Sequence, residues 1–247
     1  MTVKSTLKII CLKFSIVLAL PIILILISCK SSELRQIADS LQQERQPLDN
    51  KTVIEGLKQA LEIGTSNGIA KTSKTGGFSD NPLIQIAIPQ QLNKVESSLR
   101  KIGLNQYVDR FELQMNRAAE SASKEAKQIF ISSISQMSFE DAWQILRGPD
   151  DAATQYFKQS TDVQLRSKFR PIIQQSMNKV GFYKDYKALL KTYDSIPFTK
   201  KPDLNIETYI LQESLNGLFL LIAQEEKKIR RDPVSRITDL LQRVFGS

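Results

Sequence analysis

From residue 50 onward, apolar side chains recur every three or four positions, which is the spacing of one face of an α-helix. Proline, glycine and Ser or Asp caps interrupt this pattern and predict where each helix begins or ends. The helices predicted in this way span about 50–71, 89–103, 107–119, 126–137, 139–147, 152 onward, 206–231 and 233–245. Pro171 is expected to break or kink the helix that contains it, and Gly181 to separate two further helical stretches.

The helix over 206–231 is predicted to be the longest and to lie at the centre of a bundle. Its middle, residues 215–223, is apolar on nearly every side, and a helix of that kind is buried. The first predicted helix carries Gly56, Gly64 and Gly68 on its apolar side. Because glycine costs a helix about 1 kcal/mol, these positions indicate a close helix crossing or, alternatively, a ligand groove.

One segment has a different period. Ile84, Ile86 and Ile88 alternate with other residues up to Pro89, which predicts a short strand. Its expected partner is the segment 196–198, and the two would form a small hairpin. The predicted fold class is therefore mainly α, a compact multi-helix bundle with at most one short β-hairpin.

The N-terminus has the layout of an exported protein. Three lysines precede an apolar run over residues 14–27. As a helix this run rises about 21 Å, which is short of the roughly 30 Å hydrocarbon core of a bilayer. A basic start, a short apolar middle and a small residue before a break predict a secretory signal peptide. Residues 26–29, Leu-Ile-Ser-Cys, resemble the bacterial lipoprotein processing box, which implies cleavage before Cys29 and acyl chains on its sulfur and freed amine.

An uncleaved signal anchor is the alternative for this segment. Lipidation explains stable attachment, because two or three acyl chains hold a protein on a membrane whereas one holds it only marginally. Lys30 follows the cysteine, and by resemblance to lipoprotein sorting in Gram-negative bacteria this favours the periplasmic face of the outer membrane. The predicted organisation is a signal peptide over 1–28, a lipidated tether with a short amphipathic helix over 29–49, and a single helical domain over 50–247.

The composition excludes several kinds of catalytic site and metal site. The 247 residues include two cysteines and no histidine, which excludes Ser-His-Asp and Cys-His catalysis and every metal site that needs imidazole. The formal net charge is +8, from 34 Lys plus Arg against 26 Asp plus Glu, and +5 remains without the three signal-peptide lysines. That balance is weak support for a nucleic-acid partner. We expect no cofactor, no metal, no nucleic-acid partner and no enzyme activity. The expected partners are the membrane, through acyl chains on Cys29, and an unknown envelope protein or lipid.

Carboxylates and one polar cluster remain as candidate sites. Asp150 and Asp151 precede a predicted helix, where an acid stabilises the N-terminus by about 0.3–1 kcal/mol. Capping by Asp150 is therefore preferred to catalysis or cation binding. Asn116, Arg117 and Glu120 are expected to form a buried polar network or a ligand site, with the arginine paired to a neighbouring glutamate or to a distant acid.

Four segments carry a resemblance to a known family. They are Met-Asn-Arg-Ala-Ala-Glu at 115–120, Phe-Glu-Asp-Ala at 139–142, Gly-Pro-Asp-Asp-Ala-Ala-Thr at 148–154 and Glu-Glu-Lys-Lys-Ile-Arg at 225–230. Together they resemble a group of bacterial envelope proteins, the domain-of-unknown-function family 4197, over about residues 52–246. The resemblance implies a helical fold and an envelope location. It implies no chemistry, because no established activity comes with the family.

Three functions follow from these observations. The first is a non-enzymatic, membrane-anchored envelope lipoprotein that acts as a helical structural or interaction module. The second is a binding protein for a hydrophobic or amphipathic ligand between helices, for which an apolar cavity above about 300 Å³ is expected. The third is a carboxylate-dependent glycan hydrolase, which needs two acids about 5–9 Å apart in an open cleft.

Overall fold

A computed structural model describes residues 49–179, 181–194 and 204–245 of the chain. The predictions for the signal peptide, Cys29, the tether and the hairpin partner at 196–198 fall outside these residues. The described helices are α1 Asn50–Ser73, α2 Asn93–Lys101, α3 Asn105–Ser123, α4 Ala126–Gln136, α5 Phe139–Arg147, α6 Ala152–Lys179, α7 Phe182–Asp194, α8 Ile206–Arg231 and α9 Asp239–Phe245. Short 3₁₀ turns cover Gln90–Leu92 and Pro233–Ser235, and the described ranges contain no β-strand. The predicted fold class, a mainly α bundle, is confirmed.

Local chemistry explains several helix ends. Asp49 caps α1 by accepting the Thr52 backbone N–H at 2.7 Å. Ser138 and Asp141 form a reciprocal capping box at the start of α5, with N–H···O distances of 3.0 and 3.1 Å. Gly181, between α6 and α7, has a φ of +72°, which an L side chain adopts only with strain. These caps and the glycine account for boundaries that were predicted from the sequence.

Helix α8 lies at the centre of the packing, against α1, α3 and α6. Leu215, Leu218 and Ile222 are at most 2% exposed, so the middle of the helix is in the core as predicted. It is not buried on every side, because Asn216 and Leu220 face outward. Among the helices that the structure describes, none is long and apolar enough to cross a bilayer.

Gly68 of α1 marks a close crossing with α8, whereas Gly56 faces Val244 of α9. A Cβ on Gly68 would lie 2.9 Å from Cγ1 and 3.3 Å from the backbone nitrogen of Ile222. A Cβ on Gly64 would meet Ile229 only at 3.5 Å, an ordinary contact distance. The predicted helix crossing is therefore confirmed, and Gly68 is the position where the two helices have no room for a side chain.

Of the break or kink predicted at Pro171, the break is wrong. Helix α6 continues through this residue and, with 28 residues, is longer than α8 with 26. Leu165, Phe169, Ile173 and Met177 are each at most 1% exposed and continue at a spacing of four across the proline. Burial of side chains of this size contributes about 1.5–3 kcal/mol each, which together exceeds the roughly 3 kcal/mol cost of an internal proline.

The predicted strand at 84–88 is also wrong, although its pattern is real. Ile84 and Ile86 are buried while Gln85 and Ala87 are exposed, so the side chains alternate as expected. The backbone forms no strand ladder with any described residue. The backbone N–H and C=O of Ile86 bond instead to the side chain of Asn116 on α3.

Candidate functional site

Asn116 fixes the extended segment before α2. Its Oδ1 accepts the Ile86 N–H at 2.8 Å, and its Nδ2 donates to the Ile86 carbonyl at 2.9 Å. The same Nδ2 donates to the Glu112 carbonyl at 2.8 Å, one turn earlier on α3. The amide thus makes the hydrogen bonds that a neighbouring strand would otherwise make to Ile86. The side chain is fully buried, and both of its N–H donors are already used, so none remains for a ligand.

Glu120, one turn further along α3, holds the loop that follows α1. Its Oε1 accepts the backbone N–H groups of Phe78 and Ser79 at 3.2 and 3.4 Å. Its Oε2 pairs with the Arg117 guanidinium at 2.6 Å. The structure therefore brings Asn116, Arg117 and Glu120 together on α3 as anchors of the segment 74–89. The partner of the arginine is the neighbouring glutamate.

Asp150 does not cap α6, so that prediction is corrected. Its carboxylate forms an ion pair with Arg231, and the Asp151 carboxylate accepts a hydrogen bond from the Gln155 amide at 2.9 Å. The N–H groups of Ala153 and Thr154 donate instead to the Glu226 carboxylate, each at 2.9 Å. The cap of α6 therefore comes from α8, 72 residues away from Thr154 along the chain.

Glu226 and Arg230 form a buried ion pair that we call the α8 clamp. Their side chains are 5% and 12% exposed and lie 3.0 Å apart. The Arg230 guanidinium also donates to the Ile145 carbonyl at 2.8 Å, in the last turn of α5. One ion pair thus satisfies donors at the start of α6 and an acceptor at the end of α5, which fixes the loop 148–151 between them. Sequence reasoning missed both residues, and their only signal is an acid and a base four positions apart on a largely apolar helix.

The neighbouring Glu225 belongs to a separate ion cluster between α8 and α1. It pairs with Lys71 and with Lys228, the latter at 3.1 Å, and accepts a hydrogen bond from the Asn67 amide at 3.3 Å. Burial opposes its ionisation. The hydrogen bonds and positive charges of the two lysines outweigh burial and hold the pKa of the Glu225 carboxyl below its ordinary value.

An open groove of about 490 Å³ runs between α5 and α6, beside the loop that the α8 clamp fixes. Most of the side chains that line it are polar: Asp141, Gln144, Gln155, Tyr156, Gln159 and Ser160. Within the described residues, no protein hydrogen bond occupies the amides of Gln144 and Gln159, which face solvent. Burial raises the pKa of the Tyr156 hydroxyl, and the nearby charge of Asp141 adds to this shift. The groove therefore presents neutral hydrogen-bonding groups and the carboxylate of Asp141.

A second pocket among the described residues is much smaller. A void between α1, α6, α8 and α9 has a volume of only about 20 Å³, enough for one water molecule. Leu61, Phe157 and Ile222 contribute to its apolar wall. Among the residues that the structure describes, no group of three or more Cys, Asp or Glu is placed to hold a metal ion.

These features define a class of protein: a helical bundle whose characteristic segments anchor loops to helices. Residues 115–120 carry the Asn116–Glu120 anchors, 148–154 form the clamped loop, and 225–230 supply the clamp. The chain belongs to the family described as protein of unknown function (DUF4197), whose model matches residues 47–246. No curated protein and no solved structure matches the chain.

Proposed function

We propose that this protein is a lipid-anchored lipoprotein of the bacterial cell envelope. The proposal rests on the basic and apolar start of the chain and on the Leu-Ile-Ser-Cys segment that ends at Cys29. Residues 1–28 act as the signal peptide, and acyl chains on Cys29 hold the mature chain on the membrane. With Lys30 next, the periplasmic face of the outer membrane of a Gram-negative cell is the proposed location.

We further propose that the helical body is a non-enzymatic interaction module and that the groove between α5 and α6 receives its partner. The observation that carries this proposal is the contrast between the open groove of about 490 Å³ and the interior void of about 20 Å³. A binding site for a small molecule or a chain segment spans about 300–1,000 Å³, which the groove reaches and the void does not.

The other two functions have less support. A hydrophobic ligand between helices needs a cavity far larger than the 20 Å³ void. A glycan hydrolase needs two carboxylates across a cleft, and Asp141 is the one acidic residue among those that line the groove. That carboxylate also accepts the Ser138 N–H in the capping box of α5.

Lipidation is tested on the protein purified from its own membranes. Mass spectrometry should find residues 1–28 missing and a lipid-sized mass increment at Cys29, because processing precedes anchoring. The Cys29→Ser variant should lose the mass increment. It should then either be cleaved by another route and leave the membrane fraction, or remain uncleaved. An intact, unmodified N-terminus on the natural protein would refute the anchoring proposal.

The groove is tested by site-specific crosslinking in intact cells. A photoreactive side chain replaces Gln144 or Gln159 in the groove, and Gln106 at the exposed start of α3 serves as a matched control. We expect the same partner to crosslink from both groove positions and not from the control. Equal yields from all three positions, or from none, would contradict the assignment of the groove.

A further inference from the structure

Positive charge is concentrated in one part of the chain. Residues 166–191, the second half of α6 and most of α7, contain seven Lys or Arg and one acidic residue. Outside this segment and the predicted signal peptide, 24 Lys or Arg face 25 Asp or Glu. The whole positive excess of the mature chain therefore lies in these two helices.

Helix α7 presents part of this charge on a single face. Lys184, Lys187 and Lys191 are spaced by three and four residues and are all exposed. Within the described residues none of the three forms an ion pair. On the other side of the helix, Tyr186 stacks on Phe111 of α3 with ring centroids 5.8 Å apart. The lysine face is therefore held outward by a docked apolar face.

Exposed apolar side chains lie on the part of the bundle that α7 packs against. Helices α2 and α3 both contact α7. The turn between α2 and α3 carries Ile102, which is 62% exposed. Tyr107, in the first turn of α3, is 52% exposed, and the Arg110 guanidinium lies 5.0 Å from its ring centroid. Phe111, which contacts α7, is one turn further along α3 than Tyr107. Cations and exposed Ile and Tyr side chains thus share one end of the bundle.

We infer that this end, made of the lysine face of α7 and the α2–α3 turn, docks on an anionic phospholipid surface. Basic residues are attracted to anionic headgroups, and tyrosine is favoured at the membrane interface. Ile102 enters the boundary between headgroups and acyl chains. A soluble polyanion would satisfy the lysines but would leave the isoleucine exposed, so a lipid surface fits the combination better.

This inference goes beyond the proposed lipid anchor and is tested without it. The probe protein is the chain from residue 30 to 247, which lacks Cys29 and retains the compact unit Asp49–Ser247 with its own core. It is sedimented with vesicles of phosphatidylcholine alone or mixed with phosphatidylglycerol. We expect binding to the mixed vesicles only, weakening as salt rises. Binding that is equal on both vesicles, or absent from both, would overturn the inference whether or not Cys29 is acylated.

Two sets of variants separate the surface from net charge. The triple change Lys184→Gln, Lys187→Gln and Lys191→Gln should lower the vesicle partition coefficient roughly 100-fold, because each basic residue near the surface contributes about fivefold. The matched control changes three exposed lysines elsewhere, Lys74, Lys124 and Lys127, to glutamine and should change the coefficient less than threefold. Equal losses in the two sets would refute the assigned surface.

The apolar turn distinguishes a membrane from a soluble polyanion. Ile102→Ser should lower binding to the mixed vesicles several-fold and leave its salt dependence unchanged, because no charge is removed. Binding of heparin, a soluble polyanion, should not respond to this change. The lipid inference is wrong if Ile102→Ser does not change binding to the mixed vesicles while the lysine variants lose binding to both vesicles and heparin. In that case the surface recognises a polyanion.

Discussion

Removal of the Glu226 carboxylate is expected to destabilise the protein severely. In Glu226→Ala, the N–H groups of Ala153 and Thr154 lose their acceptor, and the Arg230 guanidinium, 12% exposed, loses its counter-ion. Breaking a buried ion pair from one side costs about 3–5 kcal/mol, because the remaining charge is left unpaired. That is a large share of the roughly 5–15 kcal/mol by which a domain is stable.

The measurement is urea unfolding of the chain 30–247 followed by circular dichroism, with the free energy of unfolding extrapolated to water. Glu62→Ala, an exposed carboxylate on α1, is the control and should change stability by less than about 0.5 kcal/mol. The double variant Glu226→Ala, Arg230→Ala should lose less than the sum of the single losses, since no charge is then orphaned. A loss below about 1 kcal/mol for Glu226→Ala would show that the α8 clamp does not hold the loop.

Three further predictions concern other contacts. Gly68→Ala should destabilise the protein by about 1–3 kcal/mol in the same assay, because its Cβ would lie 2.9 Å from Cγ1 of Ile222. Gly64→Ala should raise stability by up to about 1 kcal/mol through helix propensity, because its Cβ would lie 3.5 Å from Ile229. Equal effects of the two glycine variants would refute the crossing geometry. Asn116→Ala should cost about 1–3 kcal/mol and speed hydrogen exchange at the residue 86 amide, and unchanged exchange would contradict the anchor. The lowered pKa of Glu225 means that its ion cluster stabilises the fold above the ordinary value of 4.5 and that this contribution is lost as pH falls through the lower folded pKa. The loss of stability between pH 5 and about 2 should therefore be smaller in Glu225→Gln than in the unchanged protein. Identical stability profiles against pH for the two proteins would refute this role of the ion cluster.

Helices were the part of the fold that the sequence predicted best. The period of the apolar residues placed α8 at 206–231, and the Ser138 cap and Gly181 marked boundaries that the structure reproduces. One error came from a rule about a single residue. Pro171 was expected to break or kink α6, but buried side chains on both sides of it stabilise a continuous helix, and this burial is not visible in the local sequence.

The polar sites were only partly predictable. Arg117 and Glu120 lie one turn apart on one helix, so their pairing follows from local spacing. The cap of α6 could not be predicted in that way, because Asp150 is the nearest acid in sequence while Glu226 is the one that reaches the N–H groups. The groove is likewise built from side chains of α5 and α6, and the α8 clamp bonds to both of these helices.

The sequence by itself determined which segments are helical and which face of each is apolar, because these depend on residues close together in the chain. The proposal of a lipid anchor at Cys29 also rests on the local sequence alone. Tertiary structure alone decided which buried charge meets which backbone group, and whether Ile86 pairs with a strand or with Asn116. The physical reason is that a buried polar group must find a partner, and packing of distant helices determines which partners lie within about 3 Å.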